Sequence, residues 1–189
     1  FKNFKILCAA STHGEEEILI AGLHKNIKKN FKKLLTIIVP RHINRSEEIV
    51  NNLKKIDLKI IKHSSGNKLK KNTDIYLVDT YGEATKFYQL SKITFVGGSI
   101  VKHGGQNPLE PARLGNYIIN GPNIDNFKEI YAFLSKNKIS VTTSNIKKMQ
   151  KEIENKLYKK LSISKTEKIF NIGEKILNKN IHYLIKYIT

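Results

Sequence analysis

The sequence predicts an α/β fold with a doubly wound parallel sheet, and two observations carry that expectation. Short runs rich in Ile and Val recur along the chain and alternate with longer amphipathic stretches. This is the pattern of strands buried on both faces and joined by crossover helices. Gly, Pro, Asn, Ser or Asp bounds these runs, and those residues supply the backbone conformations that turns need. Alternation of this kind implies right-handed crossovers and a Rossmann-like architecture, with ligands held outside the carboxyl ends of the strands.

Each element has its own reason. Residues 5–10 form the first strand, with an apolar run from Ile6 to Ala10 that ends at Ser11-Thr12. Residues 15–30 follow as a helix, with Ser and Thr at the expected cap and Glu15, Glu16 and Glu17 near its positive end. Strand 35–39 is closed by Pro40, and helix 46–55 opens on Ser46 with Glu48 in its first turn. Strand 59–62 leads into a polar surface loop at 64–73, then strand 75–78, helix 82–90 and strand 93–96. A glycine-rich segment follows, and Asn107-Pro108 opens helix 108–114. Strand 117–119, helix 126–136 and a seventh strand near 139–142 complete the alternation. Residues 145–161 place Ile146, Met149, Ile153 and Leu157 on one helical face, and a similar stripe from 165 onward carries Ile169, Ile172, Ile176 and Leu177. These C-terminal helices, over about 145–189, are expected to pack on the sheet or on a partner lobe.

Composition sets bounds. A chain of 189 residues with 40% hydrophobic content supports one core, so one domain over 1–189 is expected. No apolar run approaches the roughly 20 residues of a membrane span, and the first residues are not a secretory signal. Met149 is the one methionine, which suggests a piece of a longer or processed protein. The single Cys8 excludes an internal disulfide and lies in an apolar run, as a structural thiol would. Six histidines show no metal-ligand spacing, so neither a bound metal nor a cofactor is expected. The net charge of +18 suits nucleic acid, an anionic membrane or a phosphorylated substrate alike. Of the 34 basic residues only Arg41, Arg45 and Arg113 are arginines, whose rigid fork grips phosphates in a way lysine does not.

Four segments carry chemistry. Ser11-Thr12-His13-Gly14-Glu15-Glu16-Glu17 joins a strand to a helix, and capping accounts for the acids but not for His13. Val39-Pro40-Arg41-His42-Ile43-Asn44-Arg45 projects Arg41 from a strand end, towards phosphate, base or solvent. Asp79-Thr80-Tyr81-Gly82-Glu83 reads either as a capped helix start or as a ligand loop with Gly82 permitting close approach. Phe95 to Arg113 holds four of the 11 glycines and two of the four prolines. Its Gly97-Gly98-Ser99 amides, with Lys102, could cradle an anion. Glu110 could accept hydrogen bonds from a ribose diol. Neither G-x-G-x-x-G nor G-K-[ST] is present there.

Taken together, these strings resemble the 3-deoxy-D-manno-octulosonic acid (Kdo) transferases. The family pattern G-G-S-[IL]-V-x-x-G-G-x-N-P-L-E-P-A matches this chain, although Gln106 stands where the family has His and cannot titrate. P-R-H-x-x-R and D-T-x-G-E also match, while S-T-H-x-G-E-E is shifted because Gly14 directly follows His13. The resemblance implies the carboxyl-terminal donor-binding lobe of a two-lobed GT-B glycosyltransferase. It further implies CMP-Kdo as donor and a lipid A precursor as acceptor, at the cytoplasmic face of the bacterial inner membrane. By the matched motifs, CMP would contact Pro40, Arg41, Tyr81, Gly82, Glu83, Asn107, Pro108, Leu109 and Glu110. His13, Gly97, Gly98, Ser99 and Lys102 are candidate contacts to phosphate or sugar. The family's catalytic base and acceptor site belong to an amino-terminal lobe absent from this chain, so no catalytic residue is expected here and the chain alone should be inactive. The anionic membrane surface is an expected partner and nucleic acid is not. Two other readings are a two-lobed UDP-sugar transferase or epimerase, and a basic nucleic-acid-binding module.

Overall fold

The structure, a computed structural model, describes residues 1–158 and, beyond them, Asn171, Glu174, Lys175, Asn178, Ile181 and His182, all helical. The expected stripe from 165 onward lies largely outside the described residues.

The elements run β1 (Lys5–Thr12), α1 (Glu16–Lys28), β2 (Leu34–Pro40), α2 (Ser46–Lys54), β3 (Ile60–Lys62), β4 (Ile75–Leu77) and α3 (Ala84–Leu90). They continue with β5 (Ile93–Val96), α4 (Leu109–Arg113), β6 (Tyr117–Asn120), α5 (Lys128–Lys136), β7 (Ser140–Thr142) and α6 (Ile146–Tyr158). The strands form one sheet in the order β3-β4-β2-β1-β5-β6-β7, and every pairing is parallel. The seventh strand is present, as the sequence suggested.

Both faces of the sheet are covered. Leu7, Ala9, Leu34, Ile38, Leu77 and Phe95 pack with α1, α2 and α6 on one side. On the other, Leu35, Ile37, Val78, Val96 and Ile118 pack with Phe87 of α3 and Tyr131 and Leu134 of α5. Successive residues of β1 and β2 thus serve opposite layers, which is why those strands read as unbroken apolar runs. Cys8 is fully buried in β1, and burial pushes its thiol up to about 12. Met149, Ile153 and Leu157 of α6 enter the same core as α1, whereas Ile146 is half exposed and does not join the stripe. Among the described residues, no helix is long and apolar enough to cross a membrane.

Three boundaries differ from expectation for local reasons. β1 runs on to Thr12 because Ser11 adopts φ +53°, and the pairing with β2 shifts between Ala10 and Thr12. α3 starts at Ala84, after a turn in which Gly82 has φ +77°. α5 starts at Lys128, the preceding Asp125–Phe127 forming a 3-10 turn.

Candidate functional site

Parallel strands deliver the loops after β1, β2, β4 and β5 to one edge, and those strands are consecutive in the sheet as β4-β2-β1-β5. The chain winds from β1 towards β2 and β4, then crosses to β5 on β1's other side. β1 and β5 therefore flank the topological switch point, where an α/β sheet opens a crevice.

The four loops are tied to one another directly. The Arg41 amide donates to the Thr12 carbonyl at 3.1 Å, joining the second loop to the first. Arg45 pairs with buried Glu17 at 3.1 Å, and Glu17 also accepts from the Thr12 hydroxyl at 2.8 Å. In the third loop Asp79 accepts from the amide and hydroxyl of Ser64 and pairs with Lys62. Burial works to raise its pKa, but these partners outweigh burial and hold it below the usual carboxylate range. The Thr85 hydroxyl of α3 donates to Glu110 at the start of α4, joining third loop to fourth.

Glu16 makes the tightest of these ties. Its side chain has no exposure, and its Oε2 accepts the amides of His13 at 3.0 Å and Gly98 at 2.8 Å. Oε1 accepts those of Ser99 at 3.0 Å and Ile100 at 2.9 Å. This corrects two expectations. Ser11 and Thr12 do not cap α1, whose N-cap is Glu15 without a side-chain bond. Nor do the Gly97, Gly98 and Ser99 amides open towards a ligand. Gly97 donates to the Ala10 carbonyl, the other two bind Glu16, and the fully buried Ser99 hydroxyl donates to the Val96 carbonyl. Gly97 instead permits close packing: a Cβ there would collide with the Ser11 carbonyl oxygen and stand 2.6 Å from Thr12 Cα.

The other expected contacts are placed as follows. Pro40 ends β2 and is buried, while Arg41 is exposed and its guanidinium has no hydrogen-bond or ionic partner among the described residues. Tyr81 is 78% exposed beside Gly82, and Glu83 pairs with Lys86 at 2.8 Å. Asn107 Oδ1 accepts the Leu109 amide at 2.9 Å, a local turn that starts α4. Pro108 is buried, Leu109 half-buried and Glu110 exposed. Lys102 lies on the α1 flank, lining a groove with Ile18, Gly22 and Ile146.

At the switch point the structure gathers three histidines that the sequence did not connect. The His13 ring lies 4.2 Å from that of His103 and 5.7 Å from that of His42. His103 and Gln106 come from the fourth loop and His42 from the second. Burial foremost, and His103 next, lower the pKa of His13. The structural roles of Glu16, Glu17 and Thr85 also escaped the sequence reading. The available signal was the acid run after His13, which looks the same whether it faces solvent or folds inward.

No protein-family model matches the chain. A 3-deoxy-D-manno-octulosonic acid transferase of Haemophilus influenzae is 35% identical over 176 residues, covering 93% of this chain and 40% of that protein. Its counterpart in Rickettsia prowazekii is 36% identical over 143 residues, 76% of this chain and 31% of that one. The chain thus spans less than half the length of these curated relatives. Among solved structures, the C-terminal CMP-Kdo binding domain of WaaA from Acinetobacter baumannii superposes with a TM-score of 0.82 at 29% identity, over 93% of this chain and 90% of that one. Shared sequence along most of the chain, and a shared sheet with the solved domain, lead to one conclusion: the chain belongs to the 3-deoxy-D-manno-octulosonic acid transferases, as the carboxyl-terminal lobe of their GT-B fold.

Proposed function

We propose that the chain is one nucleotide-sugar domain over residues 1–189 that binds CMP-Kdo at the carboxyl edge of the sheet. In the whole enzyme this lobe would present Kdo for transfer to the lipid A precursor in lipopolysaccharide assembly. The acceptor site and catalytic base would come from the amino-terminal lobe, at the cytoplasmic face of the inner membrane. One observation carries the reading. The four loops with the family's motifs leave four adjacent strands and bind one another around the switch point.

The chemistry follows from what each loop leaves unengaged. Transfer breaks the bond between the sugar and the CMP phosphate, so negative charge grows on that phosphate and needs fixed positive charge beside it. The glycine-loop amides are committed to Glu16, which leaves the cationic role to Arg41. Its fork suits two phosphate oxygens. Thr85 donates to one Glu110 oxygen and so orients the carboxylate, whose remaining lone pairs suit a ribose hydroxyl. Tyr81 offers an exposed ring face to the base.

Titration of CMP against UDP tests the assignment. CMP should bind better, and Arg41→Ala should weaken it about tenfold to a hundredfold, the range for a charge-assisted hydrogen bond. Glu110→Ala should cost about tenfold, with the circular dichroism of both variants unchanged. A preference for UDP, or CMP binding indifferent to both substitutions, overturns the reading.

A further inference from the structure

His13 is more than nine-tenths buried, at 8% exposure. Its Nδ1 lies 2.9 Å from the Ser11 carbonyl oxygen. A carbonyl can only accept, so Nδ1 carries the ring proton and Nε2 presents a bare lone pair. That Nε2 is buried and has no hydrogen-bond partner among the described residues. Buried polar atoms are nearly always paired, so one left open in a crevice calls for a donor from outside the protein.

The surroundings fix which kind of donor. His13 stands at the switch point between β1 and β5, its ring bracketed by His42 and His103. Its Nδ1 lies near Gly98, where the Gln106 side chain also approaches. The titratable groups that act on it are Glu16 from α1, His103 from the loop after β5 and His42 from the loop after β2. Burial first, then His103 and His42, oppose a positive charge on the ring and outweigh the Ser11 carbonyl and Glu16, which favour it, so the net effect disfavours the imidazolium that a carboxylate or phosphate would want. A neutral hydroxyl satisfies Nε2 without adding charge.

Building on the donor-site reading above, we propose that His13 is a specificity-determining residue for the sugar half of the donor, its Nε2 accepting a hydrogen bond from a sugar hydroxyl. The backbone is shaped for this task. Ser11 is held at φ +53°, in the region that non-glycine residues rarely adopt. Its carbonyl thereby lies against both Gly97 and the His13 ring.

The test compares CMP with freshly prepared CMP-Kdo on the 189-residue chain and two variants. In His13→Asn the amide can keep the bond to Ser11 but has nothing at the Nε2 position, whereas in His13→Gln the amide oxygen can reach it. His13→Asn should weaken CMP-Kdo about tenfold and leave CMP within about twofold, and His13→Gln should restore most of the loss. The imidazole nitrogen shifts of His13 should keep the Nδ1–H form when CMP-Kdo binds. Equal losses for CMP and CMP-Kdo, no loss for either, or conversion to imidazolium would each overturn this role while the nucleotide site stands. If the wild-type chain binds neither ligand, the donor-site reading falls and takes this role with it.

Discussion

At the scale of single residues, Glu16 organises the edge. A carboxylate without exposure is costly unless hydrogen bonds replace its hydration, and four backbone amides do so here, two on each oxygen. It occupies the glycine loop much as a bound anion would, so the loop is braced from inside the protein. Glu16→Gln preserves the shape but turns an amide NH2 towards two of those N–H donors. The expected loss is about 2–4 kcal/mol, from orphaned donors that were bonded to a charge. Urea unfolding measures it, and a loss below about 1 kcal/mol would show that the amides find other partners. Gly97→Ala should cost about 1–3 kcal/mol by overpacking, because the new methyl meets backbone of Ser11 and Thr12. Its damage should extend to the His13 signals, since Ser11 holds that ring.

At the scale of elements, α1 is anchored at both ends by buried polar groups. At its far end His24 is fully buried, with Nδ1 2.9 Å from the Thr36 hydroxyl and Nε2 3.3 Å from Asp74. Asp74 also accepts from Lys28 and, at 2.8 Å, from the Lys59 amide. Burial alone would raise the Asp74 pKa, but these bonds hold it well below the usual carboxylate range. Burial lowers the pKa of His24, more than Asp74 raises it. The unfolded chain therefore binds protons more readily at both groups. Acidification should erode stability first from about pH 6.5 downward through His24, then below about pH 4 through Asp74. Asp74→Asn should lose about 2–4 kcal/mol at pH 7 and flatten the second decline. Urea midpoints from pH 7 to pH 3 check both, and a variant with wild-type stability and slope would refute the assignment. The strands and helices of this region were legible because apolar runs and turn residues are local signals. The anchors were not, since Glu16 meets Ser99 across 83 positions and His24 meets Asp74 across 50. Ser11-Thr12 before three acids spells a cap, and only the long-range contact shows that the acids turn inward.

At the scale of the whole molecule, topology converts motif order into a site. The alternation made the parallel sheet readable, and a parallel sheet puts every strand-to-helix loop on one edge. The strand order, which sets β4, β2, β1 and β5 side by side, is a property of the crossovers and has no signature in any single segment. At the same edge, the proposed reading predicts that the lobe does not turn over its donor alone. Glycosyl transfer needs a base free to take the acceptor's proton, a carboxylate on the reading proposed above. Among the carboxylates of these loops, Glu16 and Glu17 are buried and bonded, Asp79 is held by Ser64 and Lys62, Glu83 pairs with Lys86, and Glu15 is exposed on the α1 flank, in the groove with Ile18 and Lys102. Glu110 is exposed but bonded to Thr85, on the side assigned to ribose. On the reading proposed above, the proton acceptor comes from the amino-terminal lobe, whose closure would complete the site. With CMP-Kdo and a lipid A precursor, the 189-residue chain should release CMP no faster than a protein-free control and form no Kdo-lipid product. Product above that control, abolished by Glu110→Gln, would instead make Glu110 the base and move the ribose elsewhere along the edge.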